Sequence, residues 1–492
     1  MQNRRDGNLR PLPGHQIIWV FVARYPAHTR FTLIPMPRPS CSHHFVWPIF
    51  KNAWPVLVAQ LVSIGMMVAD TVIVGHYSTQ HLAAVAVGSG LYATLTLSLG
   101  GVLQAIVPIV GQHYGAGERE RIGSDMRQGL WLAALLTLLG TALLINPRWL
   151  LAPAQLEPDV ENIAASYMRL LILSLPAVLG YRTFYATATA LGQPRPLMFI
   201  AFLETLGHIV LAWCLVGGHF YFPALGAVGA GLSQAIVSWA SLGLCFWLLK
   251  YSPRFAYFQI FAHRETPRWQ AQKELLRLGI PTGFSFFVEV SAFTLMAIFI
   301  ARLGAETVSG HRIAATLSAF VYMLPLSLAT ATAAQVAQSV GARNEALARG
   351  YAFAGLRIAC TFSVVLIAVL LWLRTPIAWL ATKDPKVAEV AIGLAFYITL
   401  YQFFDAIQTV ACFALRAYKI SFVPLLIHLC CFWGLGLGFG YWLAFHAPAP
   451  QGASGFWQAA VASTVTAAFL FGGLLWWVTR QRSRMEREIS DK

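Results

Sequence analysis

Twelve apolar runs, each about as long as the 20 residues that a helix needs to cross a bilayer, decide what this chain can fold into. Of its 492 residues, 57% are hydrophobic and only 11% are charged. A soluble domain carries about 25% charged residues, so this chain could not cover a soluble surface. We predict an all-α polytopic membrane protein. Its spans are predicted near residues 48–74, 80–113, 124–146, 158–190, 196–217, 226–249, 273–302, 306–339, 346–373, 387–415, 420–445 and 455–479.

The longest break between spans lies at 251–272, after the sixth span, and divides the chain six plus six. We predict that it is a cytoplasmic linker. The other predicted segments are a leader over 1–45, a first bundle over 46–250, a second bundle over 273–480 and a basic tail over 481–492. The leader has no run long enough to span a membrane, and Met36 is an alternative start of the chain.

Basic residues are distributed unevenly among the breaks. The breaks after odd-numbered spans hold only Arg148, Arg302, Arg374, Lys383 and Lys386. Far more lie in the tail and beside the breaks after even-numbered spans, where we also place Arg416 and Lys419. Cytoplasmic loops are the ones enriched in Lys and Arg, so both termini are predicted to be cytoplasmic. The net charge of +15 is thus explained by basic residues in the loops predicted to be cytoplasmic, and no nucleic-acid partner is expected.

The two halves resemble each other at a constant shift. Pro55 falls on Pro281, and the same shift of 226 residues places Gln112 on Gln338 and Gly115 on Gly341. Each half has an even number of spans, so the two are parallel repeats about an axis along the membrane normal. The sequence therefore predicts two pseudo-symmetric six-helix bundles around a central cleft, an architecture that suits alternating access.

Three carboxylates interrupt the apolar spans. Asp70 lies in "GMMVADTVIVG", Glu289 in "GFSFFVEVSAFTLM" and Asp405 in "TLYQFFDAIQTVACFALRAY". A charge at mid-span costs roughly 2.5–3.5 kcal/mol on insertion scales. Neither second-half acid has a Lys or Arg three or four residues away to pair with. Helix packing is one interpretation. The other, which three acids in three spans favour, is that they bind H⁺, Na⁺ or an organic cation in competition.

Aromatic residues accompany the second-half acids. Phe293 is one turn from Glu289, Tyr401 is one turn from Asp405, and Tyr322 is in the middle of the eighth span. Ring faces attract cations, so we predict that the three aromatic side chains line a cation site, with lipid-facing or core packing as the alternative for each.

Other polar residues stand inside first-half spans. Glu204 and His208 are four residues apart and are able to pair, whereas Arg182 is a cation that could stabilise a neighbouring acid. The functions of Arg182 and Glu204 stay open.

Five segments in order carry a family resemblance: "MMVADTVIVG", "PIVGQHYGAGE", "LGQPRPLM", "FFVEV" and "FFDAIQTVACFALRAYK". Over residues 46–480 the chain resembles the multidrug and toxic compound extrusion (MATE) family, in its NorM-like branch. The resemblance implies an antiporter that exports organic cations and amphiphilic drugs in exchange for Na⁺ or H⁺. It implies a multi-pass protein of the bacterial plasma membrane, with no cofactor beyond the coupling ion. We expect a monomer.

The resemblance also implies functions for particular residues. Glu289 and Asp405 match the second-half acids of the NorM-like cation site, where they are possible ligands of Na⁺. Asp70 matches the first-span acid. Phe293, Tyr322 and Tyr401 resemble the aromatic residues that line that site. Na⁺ and H⁺ remain open as the coupling ion.

Three other functions compete with this interpretation. A flippase of related fold for lipid-linked oligosaccharides would be expected to line its cleft with several Arg or Lys, but the spans hold few. A membrane-embedded enzyme would need a pattern such as HExxH or clustered aspartates, and a channel a repeated filter loop; none occurs in the sequence.

Overall fold

The computed structural model describes residues 43–261 and 265–490, which form helices and turns without a strand. Twelve of these helices are long and apolar enough to cross a membrane, as predicted. The predicted leader falls outside the described residues, apart from 43–45, which begin the first helix. The helices are α1 His43–Tyr77, α2 Thr79–Gly115, α3 Arg119–Leu144, α4 Pro158–Ala190, α5 Arg195–Gly217, α6 Ala227–Tyr251, α7 Trp269–Ala301, α8 Ala305–Gly341, α9 Glu345–Ala381, α10 Pro385–Ala417, α11 Phe422–Phe445 and α12 Gly452–Ser490.

Local signals in the sequence set several helix ends. Asn344 caps α9, because its side chain accepts a hydrogen bond of 2.9 Å from the backbone N–H of Leu347. Asp384 caps α10 in a similar way and is followed by Pro385 at the first helical position, where a missing N–H costs nothing. These caps fix where the second-half helices begin and therefore the height of the residues that they carry.

The backbone repeats the sequence shift. After α2 and α8 the chain turns through a left-handed residue, Gly117 with φ 76° and Arg343 with φ 54°. After α4 and α10 it does so again, within one residue of the shift, at Gly192 with φ 66° and Lys419 with φ 61°. The second half thus makes the same turns without glycine, at a cost of roughly 1–2 kcal/mol per residue.

The first helix of each half packs into the hydrophobic core of the other half. Leu275 and Leu278 of α7 belong to a core cluster built mainly from α2–α6. Ile49 and Ala53 of α1 belong to a cluster built mainly from α7–α12. This exchange is nearly symmetric under the shift of the repeat, and it joins the halves at the beginnings of α1 and α7.

The predicted linker docks on α3 through polar contacts. Glu265 accepts hydrogen bonds of 2.9 Å from both Arg127 Nε and Ser124 Oγ. The indole of Trp131 donates to the backbone oxygen of Glu265 at 2.8 Å, and Gln128 donates to that of Thr266 at 2.9 Å. The linker that joins the halves is therefore attached to the first one.

Helix α11 departs from regular α geometry. It is α-helical over Phe422–His428, π-helical over Leu429–Phe439 and α-helical again over Gly440–Phe445. In the π segment, Trp433 donates a hydrogen bond of 3.1 Å to Ser291 Oγ of α7. Wide turns of this kind are frequent at functional sites, and this one begins directly after a buried histidine, His428.

Candidate functional site

Asp405 lies deep in the second half, with 1% of its surface exposed. Its Oδ1 accepts a hydrogen bond of 3.0 Å from Gln408 Nε2, and Gln408 Oε1 in turn lies 3.2 Å from His428 Nε2 of α11. Because the amide oxygen only accepts, the proton of His428 is on Nε2. Among the described residues, the hydrogen-bond donor to the Asp405 carboxylate is an amide.

Glu289 of α7 lies near Asp405 and is partly accessible. The two carboxylates interact electrostatically, so the structure brings together the second-half acids that sequence analysis selected. Tyr322 of α8 is a hydrogen-bonding neighbour of Glu289 and of Thr409, and it interacts with both acids. Two nearby carboxylates repel each other unless a cation reaches them.

The predicted aromatic residues also converge. The rings of Phe293 and Tyr401 meet edge to face with centroids 5.6 Å apart. Trp457 of α12 completes the cluster at 6.0 Å from Tyr401 and 6.4 Å from Phe293. Tyr401 is 3% exposed and interacts with both acids. These rings form an apolar wall beside the carboxylates.

Arg416 stands where sequence analysis did not expect it. It was grouped with the charged flank of the break after α10, but it is buried, with 8% exposed. Its guanidinium lies 5.1 Å from the ring centroid of Phe286 and 5.0 Å from that of Phe413. Its Nε and Nη1 have no hydrogen-bond partner in the described part of the chain, and it attracts Glu289 electrostatically.

Asp70 makes its contacts within the first half. Its Oδ1 lies 2.7 Å from His208 Nε2 of α5, and Nδ1 of the same ring lies 3.0 Å from Ser233 Oγ of α6. The side chain of His208 is fully buried, whereas that of Asp70 is 18% exposed. Asp70 thus forms a second acidic centre, built from α1, α5 and α6.

Glu204 and His208 interact electrostatically, as their spacing allows, but their hydrogen bonds go to other residues. The hydrogen bonds of His208 go to Asp70 and Ser233, and Glu204 has Ser241 as its hydrogen-bonding neighbour. Arg182 of α4 attracts Glu204, as expected of a cation that stabilises a neighbouring acid.

Sequence reasoning found the acids but missed most of their partners. Gln408 is one turn from Asp405 and was detectable from its spacing. His428, Trp457 and Ser233 come from other helices, and no short-range pattern in the sequence connects them to an acid.

Together, the fold and the two acidic centres define a class: polytopic helical membrane proteins with two repeated halves and carboxylates within their membrane-spanning helices. The model of the MatE family matches this chain twice, over residues 55–214 and 281–442. The chain belongs to the MatE family. The two matches begin at Pro55 and Pro281, the pair that defines the repeat, and so confirm it.

Relatives of similar length support this assignment. A probable multidrug resistance protein NorM of Aromatoleum aromaticum is 48% identical over 92% of this chain and 99% of the relative. A multidrug resistance protein NorM of Vibrio vulnificus is 32% identical over 89% of this chain and 96% of the relative. The resemblance to the NorM-like branch is therefore confirmed.

A solved structure shows the same fold. The crystal structure of the eukaryotic MATE transporter AtDTX14 matches with a TM-score of 0.83 at 20% identity, over 91% of this chain and 99% of that one. The predicted all-α architecture of twelve membrane helices is confirmed by this likeness and by the helices themselves.

Proposed function

We propose that this protein is a secondary active antiporter that exports organic cations and amphiphilic drugs in exchange for Na⁺ or H⁺. The observation that carries the proposal is the pair of second-half carboxylates, Glu289 and Asp405, which interact inside the helices beside an aromatic wall. The names of the relatives, multidrug resistance proteins, support this class of cargo. No enzymatic step and no cofactor beyond the coupling ion are part of the proposal.

The chemistry of the second-half site suits exchange. H⁺, Na⁺ or an organic cation beside Glu289 and Asp405 relieves the repulsion between the two carboxylates. A bound cation therefore weakens the binding of a second cation at the same site. The aromatic wall attracts an organic cation and shields its apolar part from water. The oxygens of the two acids, with those of Tyr322 and Thr409 nearby, are hard ligands of the kind that Na⁺ would use.

The proposed setting is the inner membrane of a bacterium. The twelve spans and the NorM relatives support a multi-pass protein there. We place both termini and the linker in the cytoplasm, on the distribution of Lys and Arg. We propose a monomer that binds small molecules and lipid and has no nucleic-acid partner.

Dye efflux from proteoliposomes, driven by an imposed pH or Na⁺ gradient, tests the proposed function. Glu289→Gln and Asp405→Asn nearly conserve volume but remove the negative charge, so we expect both variants to insert and to lose gradient-driven efflux. Glu306→Gln is the matched control, since Glu306 is an exposed acid paired with Lys386 at 2.9 Å. Wild-type efflux from either site variant at equal protein content would overturn the assignment.

A further inference from the structure

The side-chain amide of Gln408 is held by contacts on both its nitrogen and its oxygen. Gln408 is 2% exposed, and its Nε2 donates to Asp405 Oδ1 at 3.0 Å and to Thr409 Oγ1 at 3.2 Å. Its Oε1 lies 3.2 Å from Nε2 of His428, which is 3% exposed. The amide therefore stands between the acid of α10 and a ring that belongs to α11.

Packing alone does not explain a histidine at position 428. The ring lies against Phe432 and Phe471, with centroids 5.5 Å and 5.0 Å away. Its Nδ1 is buried and has no hydrogen-bond partner in the described part of the chain. A buried polar nitrogen without a partner lowers stability, and phenylalanine would occupy a similar space without that loss. What distinguishes histidine here is Nε2, which faces Gln408.

The ring and the amide determine each other's orientation. With its proton on Nε2, His428 donates to Oε1 of Gln408, and the NH₂ group of the amide then faces Asp405. The reverse orientation of the amide would place Oε1 against the carboxylate, where two acceptors would have no proton between them. His428 therefore favours the orientation that keeps a donor beside Asp405.

We propose that His428 is a positioning residue of the second-half site, which acts through Gln408 to keep an N–H donor on Asp405 and so weakens the binding of an organic cation there. The proposal rests on the proposed antiport. The donated hydrogen bond compensates part of the negative charge of the carboxylate, so a cation is released more readily than from a carboxylate without that donor. Helix α11 has no Asp, Glu, Lys or Arg between positions 422 and 445, and it contributes to the site through this histidine.

Binding of ethidium, an organic cation, to the purified protein tests this inference in a double-mutant cycle. Fluorescence anisotropy gives the Kd in detergent solution at constant pH and without Na⁺. His428→Phe keeps the packing and removes the donor, Gln408→Met removes the amide at similar volume, and the double variant combines both. His428→Gln returns an N–H donor near the position of Nε2. His446→Phe, at an exposed histidine after α11, is the matched control.

We expect His428→Phe to bind ethidium about threefold to tenfold more tightly than the wild type, as for the loss of one hydrogen bond. In the Gln408→Met background the same substitution should change the Kd by less than about twofold, because no amide is left to orient. His428→Gln and His446→Phe should bind as the wild type does.

An unchanged Kd in His428→Phe would contradict the inference. An equal effect of His428→Phe with and without Gln408 would also contradict it, because the ring would then act by packing. Neither result would argue against antiport. If His428→Phe does not fold, Gln408→Met decides alone: it should also tighten binding, and equal or weaker binding would overturn the inference. A wild-type protein that neither binds nor transports ethidium would instead overturn the proposed function.

Discussion

The second-half acids differ in what compensates their charge. Asp405 is almost fully buried and has an amide as its partner, whereas Glu289 is attracted by Arg416, which packs beside two phenylalanine rings. A cation held inside the protein competes with any mobile cation for the same carboxylate. In the proposed antiport, Arg416 would therefore weaken the binding of the coupling ion at Glu289.

Arg416→Gln should tighten cation binding at the second-half site. In a medium of effective dielectric near 20, removing one positive charge near a carboxylate changes the attraction of that carboxylate for a cation by a few kcal/mol at most. We therefore expect the half-saturating concentration of the coupling ion to decrease by about threefold to tenfold. Efflux measured against Na⁺ and against pH checks this. Arg416→Lys keeps the charge and should stay near wild type; a half-saturating concentration unchanged in Arg416→Gln would contradict the prediction.

At the scale of helices, the ends of α2 and α8 form a reciprocal closure between the halves. Gln112 Nε2 donates to the backbone oxygen of Ala417 at 2.9 Å, and Gln338 Nε2 donates to that of Ala190 at 2.7 Å. A side chain on Gly115 would overlap the carbonyl of Gln338, and one on Gly341 would overlap that of Gln112. The identities that revealed the repeat thus lie where the two halves touch.

Gly115→Ala should weaken this closure. Overpacking costs typically 1–3 kcal/mol, which is enough to shift an equilibrium between two conformations by about fivefold to a hundredfold. We expect lower efflux, together with faster labelling of cysteines introduced near Gln112. Gly90→Ala in the same helix is the control, because a Cβ at Gly90 meets nothing within 4 Å. Equal rates of cysteine labelling in Gly115→Ala and Gly90→Ala would show that the contact between Gly115 and the Gln338 carbonyl does not control the closure between α2 and α8.

Short-range patterns predicted the elements well and their contacts poorly. Apolar runs, prolines and capping residues are local, so the twelve spans and their approximate ends followed from the sequence. The partner of Asp70 did not, because His208 is 138 residues away and its spacing suggested Glu204 instead. The burial of Arg416 was also missed, since a basic residue at a span end looks the same whether it faces lipid headgroups or a carboxylate.

At the scale of the whole molecule, the repeat is symmetric in its framework and asymmetric in its charges. The turns after α2 and α8 are related by the shift of 226 residues, and the turns after α4 and α10 and the Gln–carbonyl contacts follow it to within one residue. The acids are not: position 70 corresponds to Met296 and position 289 to Ser63. In the proposed antiport, the shared framework would let both halves move as similar units, and the different charges would give each half its own binding chemistry.

Orientation decides which side of the membrane the closure between α2 and α8 seals. The ends of α2, α4, α8 and α10 that meet there precede the breaks after even-numbered spans, where Lys and Arg are concentrated. From the positive-inside rule we propose that this end faces the cytoplasm, which would place the contact between α2 and α8 on that side. An alkaline phosphatase fused after Lys492 should therefore be inactive and a green fluorescent protein there fluorescent. A phosphatase inserted between α11 and α12, after Pro448, should be active and serves as the matched control. The reverse pattern would place the closure on the periplasmic side and turn the proposed direction of export around.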